Sequence, residues 1–230
     1  MEKKFTKIPA QLVLPSAYFY EQKAWHKETL LSGIDEVGRG CLAGPVVACA
    51  LILHPHVFHP LLKDSKILTE NQRAKAAGWI THNAWYSFGS VDHAAIDKHN
   101  IYKATQMAMH KAYAGLISLP SLPQLPKQVL IDAMPLSFSG TQVLSFTKGE
   151  SKSVSIAAAS IMAKVMRDKL MHRFEQLFPG YHFASNKGYG AQKHVETLEN
   201  KGSSLIHRKT FVVKKRKKHG DKTGQASLFC

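Results

Sequence analysis

The sequence predicts an α/β domain. Short apolar runs of strand length alternate with segments patterned for helices, two of those runs end in carboxylates, and one long amphipathic segment has the length of a crossover helix. With 230 residues, 44% of them hydrophobic, the chain can bury one sizeable core and still carry a smaller appended region. The expected organisation is a cover segment over residues 1–29, a core domain over 30–213 that includes a helical C-terminal region, and a flexible basic tail over 214–230.

Taken in order, residues 21–27 suit a short helix within the cover segment. Leu30, Leu31 and Ile34 are strand-like and lead to Asp35 and Glu36, which open a turn containing Gly38, Gly40 and Gly44. Residues 46–53 form a continuous apolar run, so 30–53 reads as strand, turn, strand. Successive strand residues face opposite ways. Asp35 and Glu36 would therefore not both address one site from a regular strand, and one of them is expected beyond the strand's end or acting through its backbone. Pro55 and Pro60 make the stretch holding His54, His56 and His59 a loop and not a metal site. Thr69-Glu70-Asn71-Gln72 is a capping box that opens a helix reaching about residue 83.

Residues 85–91 alternate as a half-buried strand, and Ile101, Ala104, Ala108, Ala112 and Leu116 mark a helix over about 100–119. Val129-Leu130-Ile131 is a strand that ends in Asp132, and a further strand is expected near 141–146. The helix predicted over 153–178 carries a buried stripe at Ala159, Ala163, Met166, Leu170, Phe174 and Leu177. Asp168 lies nearly opposite that stripe, in line with Ser160 and Lys164, so it is either solvated or turned toward a site. Pro179-Gly180 stops this helix. Tyr189, between Gly188 and Gly190, is exposed enough to stack on a sugar or base, and a short helix follows around 194–200.

Against 31 Lys and Arg stand only 16 Asp and Glu, a formal charge of +15 and a sequence pI near 9.7. Such a balance suits a partner rich in phosphate, and nucleic acid is the expected one. No run approaches a membrane span and the first residues have no apolar signal stretch, so a cytoplasmic protein without membrane contact is expected. Cys41, Cys49 and Cys230 are too few and too scattered for a disulfide framework or a zinc site, which agrees with a reducing compartment.

Four acids stand out against this cationic background: Asp35 and Glu36 after one strand, Asp132 after another, and Asp168 on a helix. If the two strands are neighbours, the carboxylates converge and repel one another unless cations are bound. Oxygen ligands without histidine or thiolate favour hard ions, Mn²⁺ or Mg²⁺. Two such ions could activate water and stabilise the leaving 3′-oxygen in an in-line attack on a phosphodiester. Gly38 and Gly40 leave backbone N–H groups open to a polyanion, and Arg39 adds a fork for phosphate.

Gly33-Ile34-Asp35-Glu36-Val37-Gly38-Arg39-Gly40 with Leu42-Ala43-Gly44-Pro45, then Asp64-Ser65-Lys66, then the run Ser155 through Asp168, resemble bacterial ribonuclease HII over roughly residues 30–211. The resemblance implies a ribonuclease H-like fold, a mixed five-stranded sheet flanked by helices with a helical C-terminal region. It implies endonucleolytic cleavage of the RNA strand of RNA–DNA hybrids and cutting 5′ to a ribonucleotide embedded in duplex DNA, leaving 5′-phosphate and 3′-hydroxyl by two-metal-ion catalysis. Carried over residue by residue, it makes Asp35, Glu36, Asp132 and Asp168 the catalytic metal ligands, and Gly38, Arg39 and Gly40 the turn that senses the ribose 2′-hydroxyl. Tyr189 matches the tyrosine that stacks on the following deoxyribose, while Lys152, Lys164 and Arg208 match phosphate contacts.

The sequence departs from the family's pattern at Cys41, where proline is usual, at Glu150, where Lys-Gly-Asp is commoner, at Ala133 for glycine and at Thr210 for serine. In the tail, Gln225-Ala226-Ser227-Leu228-Phe229 resembles the peptide by which repair proteins hold the sliding clamp, with Gln225, Leu228 and Phe229 as its contacts. A monomer is expected. Ribonuclease HIII would carry an extra N-terminal domain, for which 29 residues are too few, and a non-catalytic clamp adaptor would have no reason to gather four acids.

Overall fold

A computed structural model of the chain describes residues 14–211. Residues 1–13 of the cover segment, the expected domain end at 213, the tail and Gln225, Leu228 and Phe229 lie outside the described residues.

The sheet has five strands in the order β3-β2-β1-β4-β5. β1 (Leu31–Val37), β2 (Val46–Leu53) and β3 (Ala84–Val91) run antiparallel in sequence, whereas β4 (Gln128–Asp132) and β5 (Gln142–Phe146) lie parallel to β1 and to each other. Every residue of β2 is buried, which explains why it reads as an unbroken apolar run: helices cover both faces. On one face Cys49, Leu51 and Leu53 pack with α2 (Glu70–Asn83) and α4 (Val154–Leu177). On the other, Ala48, Ala50 and Ile52 pack with α3 (His93–Ile117).

Local signals fix several boundaries. The Thr69 hydroxyl accepts from Gln72 N–H and the Gln72 side chain accepts from Thr69 N–H, so the expected capping box starts α2. α3 begins seven residues before the predicted start near 100, capped by Asp92, whose carboxylate accepts from Ala95 N–H at 2.8 Å. Asn100 breaks it with φ of 65° and caps the second segment through Lys103 N–H, which is why periodicity alone began the helix there.

Two expectations are corrected. β1 continues through both acids to Val37, which still pairs with Val47, so neither acid lies beyond the strand. The stripe predicted along α4 holds only in its first half. Ala159 and Ala163 are buried, but Leu177 is 69% exposed, and farther along the helix Arg167, Asp168 and Met171 are the buried residues. Segments after α4 and the turn after β1 cover that outward side, a tertiary effect that helical periodicity does not contain.

The start of α4 is fixed against β1 at backbone distance. A Cβ on Gly33 would lie 2.2 Å from the Ser155 carbonyl carbon, so only glycine permits this approach. Glu21, on α1 (Phe19–His26), is 1% exposed and braces the same point, accepting from Ser153 Oγ at 2.5 Å and Ser155 N–H at 3.0 Å. Burial raises its carboxyl pKa above the ordinary range, opposed by those hydrogen bonds.

Candidate active site

The site grows from strand register. Ile34 on β1 pairs with Ile131 on β4 in parallel, so the next residues, Asp35 and Asp132, stand side by side at the same edge of the sheet. Asp35 shares the α4 face with Gly33, and Ser160 of α4 hydrogen-bonds its carboxylate. Glu36 points to the other face, yet Asp132, at the end of the neighbouring strand, acts electrostatically on both Asp35 and Glu36. Burial, then the neighbouring Glu36 charge, pushes the Asp35 carboxyl well above the usual range. Burial also raises Glu36, against the pull of Arg39, whose guanidinium lies 3.5 Å from its carboxylate.

Glu150 departs from the family's pattern, and the structure brings its backbone up against Asp132. Gly149 N–H donates to Asp132 Oδ1 at 2.7 Å and is followed at once by Glu150. One Glu150 oxygen is 3.8 Å from Lys66 Nζ, and the other is buried with no hydrogen-bond partner. Asp168 is placed differently. It lies two turns of α4, about 12 Å, beyond Ser160, where Lys164 Nζ pairs with it at 2.9 Å and its charge acts on Tyr189. The signal for Glu150 was present in Lys148-Gly149-Glu150, an acid directly before a predicted helix, but its relation to Asp132 is not local.

Among the described residues, no three such side chains form a finished ion shell. The chemistry nevertheless fits a divalent cation. Mutually repelling, desolvated carboxylates and an orphaned buried Glu150 oxygen are what a hard cation would neutralise and ligate.

The turn after β1 is clamped by two buried arginines. Arg167 donates from Nε to Pro45 O, from Nη1 to Lys187 O and from Nη2 to Ala43 O, at 2.9, 2.7 and 3.1 Å. Arg208 donates to Gly38 O, Arg39 O and Gly44 O, at 2.6, 2.7 and 2.9 Å. In a trans peptide the N–H points opposite the preceding C=O, so the N–H groups of Arg39 and Gly40 face away from Arg208. A Cβ on Gly40 would meet nothing within 4 Å, which leaves that edge open. The Arg39 side chain is 42% exposed.

Arg208, expected to meet phosphate, is placed inside the turn. It is 2% exposed, its donors are committed to backbone carbonyls, and burial lowers its pKa to about 10. These hydrogen bonds tie the turn together. Lys152 is exposed beside the Phe146 ring, and Lys164 is half-buried in its pair with Asp168, so both remain near the surface that a backbone would follow.

Tyr189 stands beside the turn, 40% exposed, with Lys164 Nζ and the Arg167 guanidinium carbon each 5.9 Å from its ring. Its loop is joined to the turn through Leu42 N–H, which donates to Gly188 O at 2.8 Å. Cys41 fills the junction. It is fully buried, its thiol pKa is raised by burial, and it contacts the Tyr189 hydroxyl and Lys187 O. The residue that replaces the usual proline therefore packs beneath the tyrosine.

Fold and carboxylate group together define a metal-dependent nuclease of the ribonuclease H type. A ribonuclease HII solved in complex with PCNA from Archaeoglobus fulgidus superposes with a TM-score of 0.64 at 23% identity, covering 82% of this chain and 98% of that one. A ribonuclease HIII solved with Mn²⁺ gives 0.56 at 22%, covering 82% and 67%. The sequence model of the ribonuclease HII family matches residues 32–215. Ribonuclease HII of Listeria innocua is 48% identical over 191 residues, 82% of this chain and 70% of that protein, and that of Levilactobacillus brevis is 43% identical over 203 residues, 88% and 76%. The chain belongs to the ribonuclease HII family. It is a metal-dependent endoribonuclease that cleaves RNA in RNA–DNA hybrids.

Proposed function

We propose that the enzyme also cuts 5′ to a single ribonucleotide embedded in duplex DNA, leaving 5′-phosphate and 3′-hydroxyl, with two Mn²⁺ or Mg²⁺ ions. The observation that carries this reading is the register that sets Asp132 beside Asp35 at the edge where the sensing turn begins. Asp35, Glu36 and Asp132 would hold the ions, and the orphaned oxygen supports Glu150 over the more distant, lysine-paired Asp168 as the fourth carboxylate. When bound, the ions supply positive charge to the attacking water and to the leaving 3′-oxygen. The open N–H edge of residues 39–40 recognises the 2′-hydroxyl, and Arg39 stands over the adjoining phosphate. Tyr189 stacks on the next sugar, with Lys164 and Lys152 along the backbone. Asp168 keeps Lys164 oriented beneath the tyrosine.

A duplex containing one ribonucleotide, incubated with Mn²⁺ or Mg²⁺, tests the activity directly, and absence of cleavage at that position overturns it. Assignment of the fourth carboxylate rests on paired variants. Glu150→Gln should lose at least about a hundredfold in kcat, beyond the 10–100-fold typical of residues that only support a ligand. Asp168→Asn should act mainly on KM; the reverse pattern would restore Asp168 as the ligand.

The reading also places the enzyme in the cytoplasm as a monomer, consistent with two buried free thiols, Cys41 and Cys49. Among the described residues no helix is long and apolar enough to cross a membrane. The solved complex of an archaeal ribonuclease HII with PCNA supports the proposal that residues 225–229 tether this enzyme to a sliding clamp. Deleting residues 225–230 should weaken clamp capture in a pull-down with purified clamp without changing cleavage of free duplex, and unaltered capture rejects the tether.

A further inference from the structure

Outside the carboxylate site lies a buried histidine pair that the mechanism above does not use. His194, on α6 (Gln192–Lys201), and His207, beyond it, are 0% and 4% exposed, and their Nε2 atoms are 2.9 Å apart. Ser204 N–H donates to His207 Nδ1 at 2.8 Å, which leaves the His207 proton on Nε2. That proton must then go to His194 Nε2, so His194 carries its own on Nδ1, 2.8 Å from the carbonyl oxygen of Tyr189. All four ring nitrogens are committed, in one direction, from Ser204 to Tyr189.

We propose that His194 and His207 are positioning residues for recognition of the embedded ribonucleotide, a one-way proton chain that sets the Tyr189 loop against the 38–44 turn. The proposal rests on the stacking role given to Tyr189 above. The other end of the chain reaches the turn itself. His207 bridges to Ala43, Ile206 O accepts from Gly44 N–H at 2.9 Å, and Arg208 N–H donates to Leu42 O at 2.8 Å. Two segments that must meet across the substrate are thus referred to one pair of rings.

The pair sits in an apolar cage. The Phe183 ring is edge-on to His194 at 5.4 Å, and the Tyr181 and Phe183 rings lie 5.1 and 5.6 Å from His207. The other titratable groups that act on the pair are His182, before α5 (Phe183–Asn186), on His194 and His93, at the start of α3, on His207. Each can only add positive charge. A further proton on either ring would set two N–H groups face to face, so the chain exists only while both rings are neutral. Burial first, then the neighbouring histidine, lowers His207 to about 4, and burial lowers His194. Positioning therefore persists across the neutral range. The unfolded chain takes up these protons near the ordinary value of about 6.5, so the pair's contribution to stability is present above that pH and is lost as pH falls toward 4.

The test compares kcat/KM on a duplex with one ribonucleotide to kcat/KM on a continuous RNA–DNA hybrid, a ratio in which shared metal chemistry cancels. His194→Leu should lower the ratio by about tenfold, equivalent to about 1.4 kcal/mol, through a rise in KM for the first substrate. His194→Asn, which keeps a donor for Tyr189 O, should recover most of it. His207→Gln, which keeps a donor toward His194 but does not titrate, should outperform His207→Leu and melt with a weaker dependence on pH between 6.5 and 4. ¹⁵N NMR of the folded native enzyme should show Nδ1–H on His194 and Nε2–H on His207. Rapidly exchanging tautomers, or an unchanged ratio in folded His194→Leu protein, overturns the proposal. Tyr189→Ala separates the two layers. If it leaves the ratio intact, the stacking reading fails and the positioning role fails with it. If it collapses the ratio while the histidine variants do not, only the histidine role fails.

Discussion

Asp132→Asn protein is expected to lose cleavage of both substrates by at least about a thousandfold, an order beyond a residue that merely supports a ligand, while remaining folded. Asparagine keeps the oxygen that accepts from Gly149 N–H, so the connection from β4 to Glu150 survives. What disappears is the negative charge that faces both Asp35 and Glu36. In the absence of divalent ion that charge is a repulsion, so the variant should melt at or above the native temperature. Adding Mn²⁺ should then stabilise the native enzyme through binding linkage, by about 2.7 kcal/mol at a hundred times Kd, and the variant much less. Cleavage assays paired with thermal shift measure both effects. Native-like cleavage, or an equal Mn²⁺ shift, would remove Asp132 from the metal site.

The parts of this fold that were legible in the sequence are those whose cause is local. The Thr69 capping box needs four residues, β2 is apolar because both of its faces are covered, and the acids at Asp35 and Asp132 announce themselves at the ends of apolar runs. The parts that were not legible depend on long-range covering. Helical periodicity set Asp168 on an outward face, but the Tyr189 loop and the turn after β1 lie over that face, so Asp168 is buried and paired with the half-buried Lys164. Glu150 stands out in the sequence only as a departure from the family's pattern, because nothing nearby in sequence shows that Gly149 docks on Asp132. The phosphate role expected for Arg208 comes from the resemblance, and the sequence holds no local sign that this side chain is buried. The pairing of residues 206–208 with the turn at 42–44 places it inward. The alternation rule correctly sent Asp35 and Glu36 to opposite faces, and what it missed is that Asp132, on the neighbouring strand, reaches both.

Arg167→Met is the substitution expected to cost the most stability. The side chain is fully buried, and its donors serve carbonyls of Pro45, Ala43 and Lys187, which belong to the two segments that would frame the substrate. Methionine fills much of the volume but leaves three carbonyls without that partner, each worth about 1–3 kcal/mol when stranded. Removing a desolvated charge offsets part of this loss, so a net cost of about 3–4 kcal/mol and a drop in Tm of roughly 10 °C are expected. Arg208 does not substitute, because its guanidinium is already held by Gly38, Arg39 and Gly44. Gly38 gives an independent handle on the same contact. Its φ is +94°, and a Cβ there would lie 2.2 Å from Arg167 Nε, so Gly38→Ala should displace the guanidinium without deleting it. Both variants, assayed below their melting temperatures, should lose cleavage at a single ribonucleotide more than cleavage of a continuous hybrid, since the hybrid offers many positions at which a loosened turn can still find a 2′-hydroxyl. Arg167→Lys keeps the charge but not the three-way fork, and should recover only a minor share of the stability. If Arg167→Met melts within about 2 °C of the native enzyme, corresponding to roughly 1 kcal/mol or less, the guanidinium is not what fastens the turn to the tyrosine loop, and the other contacts between them, Leu42 N–H on Gly188 O and Cys41 Sγ on Lys187 O among them, must suffice.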